Sequence, residues 1–388
     1  MTPKRALLSP ATRTGRARLY QLALLAALVA AGAFAWTNTR ANLSARQIRS
    51  GFGFLAGPAG FAIGEGFIGY APGDSYLWAF AAGVANTLRA AALGILLATI
   101  LGVLVGVGRL SRNLLVRAVC TAYVEVLRNV PLLLQLFAWY LVATELLPEA
   151  GAPLQPVPHV YLSKEGLQFP IPLWARGWAL ALGAAPLGLL GAWGLFRWAR
   201  SRREHTGHTP QVIWPAVACA VGLPLAAWAA GGAPHALDLP ELTTFNVAGG
   251  AGLTPEFLSL LVGLTLFTAA SIAEIVRSGV LAVPHGQTEA AAALGLSRRQ
   301  VLRLVVLPQA LRVIVPPLTS QYLNLTKNSS LAVAIGYADL VSIANTAINQ
   351  NGQALECIVV IMSVYLVLNL ATAAVMGWYN RRVALVER

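Results

Sequence analysis

The sequence predicts an all-α integral membrane protein with about eight transmembrane helices, and three observations carry that prediction. Of 388 residues, 57% are hydrophobic and 11% charged, against roughly 25% charged in soluble domains. Apolar runs long enough to cross a hydrocarbon core of about 30 Å recur along the chain. They lie near Leu19 to Trp36, Leu88 to Val107, Ala118 to Val142, Trp178 to Phe196, Ile213 to Ala230, Phe257 to Ile275, Val313 to Ile343 and Leu355 to Trp378. The third observation is where the charge sits. A net +13 would point a soluble protein toward nucleic acid, but 20 of the 28 Lys and Arg fall in segments on the side of the termini and only five on the other. Because Lys and Arg accumulate in cytoplasmic loops, both termini are expected in the cytoplasm. The remaining three, Arg89, Arg128 and Lys327, lie within or at the edges of spans, where a charge is expensive and tends to be functional.

The first run leaves two readings open. A basic stretch, an apolar run and Ala33-Phe34-Ala35 suit an anchored helix or a cleaved signal peptide. The fourth and fifth spans, with their loops from about 146 to 252, are rich in Trp, Pro and Gly and carry no intramembrane charge, so they read as scaffold or partner contact. The seventh run holds 31 residues, which as one helix would extend about 46 Å, so it should break. Lys327-Asn328-Ser329-Ser330 and Gly336 interrupt its apolar character. Cys120, Cys219 and Cys357 fall in or beside spans, where a free thiol behaves as a small hydrophobe. His205 and His208 have metal-ligand spacing but lie in a basic loop with only Glu204 beside them, so no metal site is expected.

The segment from Thr288 to Pro308 is the most specific. Glu289-Ala290-Ala291 opens a stretch of strong helix formers, and Gly295 stands where a helix stop needs a left-handed residue. Ser297 with Gln300 forms a capping-box signature, so a second helix should start there and run to Pro308. The first helix is too short to be stable alone, and its Ala-rich face calls for a partner. No glycine-rich phosphate loop accompanies it: of Lys4, Lys164 and Lys327, none follows a glycine, so ATP hydrolysis by that route is excluded.

This spacing resembles the EAA loop of permease subunits of ATP-driven (ABC) importers with the type I, MetI-like fold. Three further stretches are similar to the polar amino acid permeases of the histidine and glutamine group. They are Gly83-Val84-Ala85-Asn86-Thr87-Leu88, the run from Glu125 to Gln135, and the run from Thr268 to Gly279. Gly286-Gln287 and Lys327 to Leu331 are similar to that group too, while Asn129-Val130 departs from the Gly-Thr that many members carry. The extra first span, Ser50 to Leu55 and Phe245 to Gly250 most resemble the longer permease of the general L-amino acid importers, the AapQ/BztB type.

The resemblance implies a transmembrane domain over 82–380 with a two-helix insertion at about 146–252, preceded by residues 1–81 and followed by a cytoplasmic tail at 381–388. It implies a permease subunit in a bacterial inner membrane that carries L-amino acids, polar or broad in range. Glu289, Ala290, Ala291, Gly295, Leu307 and Pro308 would dock on a separate ABC ATPase. That ATPase would hold ATP and Mg, and this chain would bind no cofactor and catalyse no reaction. A second homologous permease and a periplasmic amino-acid-binding protein would complete the importer.

Two sets of residues are candidates for the transport machinery. Glu125 with Arg128 and Glu274 with Arg277 are spaced to pair locally, and the sharper expectation is that they meet across the core and re-pair when the permease switches. In the broken seventh segment, Lys327 would face a substrate carboxylate or pair with Asp339, while Gln321, Asn324, Asn328 and Ser329 supply neutral hydrogen bonds. The alternative, an ion- or proton-coupled secondary transporter, predicts inverted halves and leaves the docking loop unexplained. A membrane-embedded enzyme would need a convergent catalytic cluster, which the sequence lacks.

Overall fold

The computed structural model describes residues 13–45, 50–207, 210–243 and 246–383. The ends of both tails, Arg46, Arg49, His208 and Phe245 lie outside the described residues. In chain order the helices are α1 (Arg13–Ala45), α2 (Tyr76–Gly108), α3 (Leu114–Asn129), α4 (Leu132–Leu141), α5 (Arg176–Thr206), α6 (Ile213–Val217), α7 (Leu223–Ala230), α8 (Pro255–Leu281), α9 (His285–Ala293), α10 (Arg298–Val301), α11 (Leu307–Asn328), α12 (Leu340–Asn351) and α13 (Ala354–Val383). Among the described residues seven helical elements are long and apolar enough to cross a membrane, or eight if α3 and α4 form one interrupted span.

Two boundaries differ from the sequence expectation and a third agrees with it, each for a backbone reason. The third span breaks in the middle: Val130 is extended at φ −97° and ψ 127°, the conformation a following proline imposes, and Pro131 has no N–H to continue the helix. Pro308, expected to stop a helix, does not. A π-helical turn at Leu302–Val306 links α10 to α11, and Pro308 falls in the first turn of α11, where a missing N–H costs little. The seventh run breaks where its polar residues suggested. There α11 ends at Asn328, a 3-10 segment covers Ser329–Ile335, and Gly336 closes it at φ 82°.

The chain forms two compact units, Met1–Pro131 with Leu264–Arg388, and Leu132–Gly263. The first is organised around a seam of small residues on α2. Ala79, Gly83, Ala90, Gly94, Ala98, Gly102 and Gly106 recur at helical spacing and are buried. Their size lets other helices approach the backbone: a Cβ on Gly102 would sit 2.6 Å from Ile272 Cβ, and one on Gly106 2.8 Å from Val276 Cβ. Membrane helices lack a strong hydrophobic drive toward one another, so such contact is their main source of packing energy. At the N-terminal end of α2, Tyr76, Ala79 and Phe80 pack with Leu340, Ile343 and Ala347 of α12 and Cys357 of α13. Residues 50–75 join that cluster through Phe54, whose ring meets Tyr76 edge-on at 5.5 Å.

Among its described residues the second unit contains the α5 to α7 pair and eight short strands that a count of apolar runs could not foresee. Strands β1 (Leu154–Val157), β2 (Val160–Ser163), β3 (Gly166–Phe169) and β8 (Ala251–Leu253) form an antiparallel sheet in the order β1-β2-β3-β8. The pairing of β3 with β8 ties the two loops of the insertion together across α5 to α7. Glu149 accepts a 2.7 Å hydrogen bond from Lys164 beside the β2–β3 turn, which raises the lysine's pKa. Near the end of α5, Arg197 and Arg202 lie over Trp193 and Trp198 at 5.3 and 5.2 Å, the pairing of aromatic and basic groups that anchors a span at the membrane surface.

Candidate functional site

One face of α8 carries its polar residues, and part of that face meets α11. Phe267, Ser271, Glu274 and Ser278 recur at intervals of four, three and four residues and so share one face of the helix. Near the upper part of this face, Phe267, Thr268 and Ser271 line a cleft of about 360 Å³ with Gln321, Asn324, Leu325 and Asn328 of α11. Three of the residues expected to contact substrate, Gln321, Asn324 and Asn328, therefore meet in one place. Thr268 and Ser271 complete it, within a motif the sequence marked but for which it offered no role. The cleft is lined by amides and hydroxyls with no charged side chain, so it can solvate a small polar molecule by hydrogen bonds alone. A larger groove of about 1070 Å³ beside α2, α8, α11 and α13 is lined mostly by aliphatic side chains, with hydroxyls from Thr99, Ser111, Tyr322 and Tyr379. The Thr99 and Tyr322 hydroxyls are bonded to each other at 2.9 Å, and that groove suits an amino acid poorly.

Two residues expected at the site are elsewhere. Lys327 is exposed and forms no ion pair among the described residues, and it is not among the side chains that line the cleft with Asn324 and Asn328. Its suggested partner Asp339 is fully buried and caps α12, accepting from Ser342 N at 2.8 Å. Ser329 is also fully buried, with its hydroxyl donated to Thr326 O at 2.8 Å.

Further along α8, Glu274 gathers three arginines. Arg277 Nη2 donates to its Oε1 at 2.8 Å, Arg109 Nη1 donates to Oε2, and Arg128 Nη1 stands 4.0 Å from that same oxygen. The expected local pair of Glu125 with Arg128 is not formed. Glu125 is exposed and has no basic partner within 4.0 Å among the described residues, because Arg128 turns to α8 instead. Arg109, from the end of α2, read as a loop charge in sequence; only the fold brings it to Glu274. Arg89 likewise gains a partner, Glu65, at 2.5 Å. One turn before it, the buried Asn86 amide donates to Glu65 O and Ala338 O at 2.9 and 2.8 Å and accepts from Phe67 N at 2.9 Å. The Gly83-to-Leu88 motif is thereby explained as a fastening point: a Cβ on Gly83 would lie 2.9 Å from Leu340 Cα.

The segment from Glu289 to Pro308 forms the two helical pieces read from the sequence. The end of α9 is tied by Leu296 N to Ala291 O and Gly295 N to Ala292 O, with Gly295 left-handed at φ 77°. This is the closure for which glycine is preferred. Ser297 and Gln300 form the reciprocal capping box. Ala291 is buried, whereas Glu289, Ala290, Ala292, Ala293 and Gly295 are exposed and Leu294 is 81% exposed. Leu307 and Pro308 stand beyond the π turn, Leu307 exposed and Pro308 half-buried.

Three curated relatives align over nearly the whole chain. It is 47% identical to the general L-amino acid transport system permease protein AapQ of Rhizobium johnstonii, covering 96% of this chain and 93% of that one. It is 46% identical to the putative amino-acid ABC transporter permease protein YhdX of Escherichia coli, covering 98% and 97%. Identity is 38% to the glutamate/glutamine/aspartate/asparagine transport system permease protein BztB of Rhodobacter capsulatus, covering 95% and 93%. The family model described as binding-protein-dependent transport system inner membrane component matches residues 94–385. The chain therefore belongs to that family of multi-pass, MetI-like ABC importer permeases.

Proposed function

We propose that this chain is a permease subunit of an ATP-driven importer that moves L-amino acids, polar or broad in range, across the bacterial inner membrane. The observation that carries the reading is the uncharged polar cleft of Thr268, Ser271, Gln321, Asn324 and Asn328 between two apolar helices. Polar side chains within a membrane span are costly unless they serve a passing solute or a partner. The relatives' names agree with a solute that is an amino acid. Energy comes from a separate ATPase that carries ATP and Mg and seats the exposed α9 with Gly295 in a groove of its own. A second, homologous permease and a periplasmic amino-acid-binding protein complete the machine, with both termini of this chain in the cytoplasm. A secondary transporter has no use for α9 and its exposed Leu294.

The test is reconstitution of this subunit with its neighbours in proteoliposomes and measurement of ATP-dependent uptake over a panel of L-amino acids. Uptake that proceeds without ATP, driven by an ion gradient, rejects the reading. Docking is tested by Gly295→Val. A β-branched residue at positive φ costs about 1–2 kcal/mol, so ATPase co-purification and uptake should fall while membrane insertion is unchanged. Full transport by that variant rejects the assignment of Glu289, Ala290, Ala291, Gly295, Leu307 and Pro308 to docking.

A further inference from the structure

The Glu274 cluster contains more positive charge than it can neutralise. Three guanidinium groups face one carboxylate. Both carboxylate oxygens already accept a close hydrogen bond, from Arg277 and Arg109, so Arg128 at 4.0 Å is left with attraction but no acceptor in contact. The Nε–H groups of Arg109 and Arg277 are buried and have no hydrogen-bond partner among the described residues, which is costly for any donor and more so for a cationic one. The cluster is nonetheless open: the Arg128 side chain is 46% exposed and that of Arg277 33%. What it lacks is a second carboxylate, since a planar guanidinium is matched best by a two-oxygen anion.

Glu274 also lies on the helix face of Phe267 and Ser271, only three residues beyond the cleft, or about 4.5 Å along the axis. The cleft offers a zwitterion neutral hydrogen bonds and nothing for its negative charge. Resting on the amino acid importer reading above, we propose that Arg128, held beside Glu274 without an acceptor in contact, forms a second station, which takes the α-carboxylate of the transported amino acid as it leaves the cleft. Arg128 is then a direct binding residue, held ready but uncommitted by Glu274. Arg109 and Arg277 keep Glu274 occupied so that it does not capture Arg128.

The test compares the wild-type complex with Arg128→Gln and Arg128→Lys, each reconstituted with its ATPase, second permease and binding protein. Loss of one charged hydrogen bond should lower ATP-driven uptake of L-glutamine by about tenfold in Arg128→Gln. Arg128→Lys should recover most of it, with subunit co-purification unchanged in both. Saturation-transfer NMR on the complex without binding protein should show that L-glutamine competes better than its α-amide for the wild type, by a similar factor, and that Arg128→Gln erases the difference. Uptake within twofold of wild type in Arg128→Gln, or equal competition by the acid and the amide in the wild type, overturns the proposal. If Arg128→Gln leaves uptake intact but reduces the phosphatidylglycerol retained by the complex, the anion is a lipid headgroup and the proposal is again overturned. A wild-type complex that imports no amino acid rejects the functional reading instead, and the NMR comparison still decides this one.

Discussion

Helices α8 and α5 look alike by composition and behave differently in the fold. They hold 27 and 31 residues with mean hydropathy 1.9 and 1.7, yet 61% of the apolar window of α8 is buried against 11% in α5. The difference lies in what interrupts the apolar run. In α8 the polar residues Thr265, Thr268, Ser271 and Glu274 sit at three-residue steps and alternate with buried Leu264, Ala269, Ala270, Ile272 and Ala273. In α5, Leu182, Leu187, Leu189 and Leu190 are all more than 60% exposed. A span that faces lipid needs only hydrophobicity, whereas one that faces protein and solute needs small residues for close approach and polar ones for work.

The largest expected effect comes from the packing of α8 against α2. Gly102→Val would drive a side chain into Ile272 Cβ and Ala269 O, an overpacked backbone contact worth about 3 kcal/mol, read as loss of folded subunit and a lowered Tm in detergent. Next is Glu274→Gln, which removes the negative charge shared by Arg109 and Arg277 and replaces one of their two acceptor oxygens with an NH2 donor. Because the group is partly exposed the cost should be about 2 kcal/mol rather than the full value of a buried pair, accompanied by a fall in uptake per assembled complex. Gly188→Val in α5 is the matching test of the other helix. Its Cβ would meet Cys219 O at 2.4 Å, so it should destabilise the α5 to α7 pair by about 1–3 kcal/mol while each assembled complex transports at nearly the wild-type rate. If it abolishes transport by assembled complexes, the contrast between a working and a supporting helix fails. Leu189→Ala, on the exposed face of α5, should shift stability by no more than about 0.5 kcal/mol; a larger shift in Tm would reveal a partner on that face.

Much of the fold was legible because its signals are local. Apolar runs marked the spans, Gly295 and the Ser297–Gln300 box marked two helix ends, and Lys327 to Gly336 marked the break after α11. Each depends on residues within one or two turns of one another. The misses are equally physical. Pro131 and Pro308 look the same in sequence, but one interrupts a span and the other is absorbed by a π turn, a choice settled by the backbone around each. Lys327 drew attention as an intramembrane charge, yet it does not line the cleft that Asn324 and Asn328 line. Arg109 looked like an ordinary loop charge.

The sequence by itself determined membrane residence, the positions of the apolar spans, the two-part helical loop and family membership. All of these follow from composition, from periodicity or from motifs that lie close together along the chain. Only the tertiary structure decided which polar residues meet. Thr268 and Ser271 join Gln321, Asn324 and Asn328 across about 50 residues of chain, and Arg109, Arg128 and Arg277 converge on Glu274 from three helices. Pairings at that separation depend on the rotation and approach of whole helices, which the glycine seam of α2 permits and which no short stretch of sequence encodes.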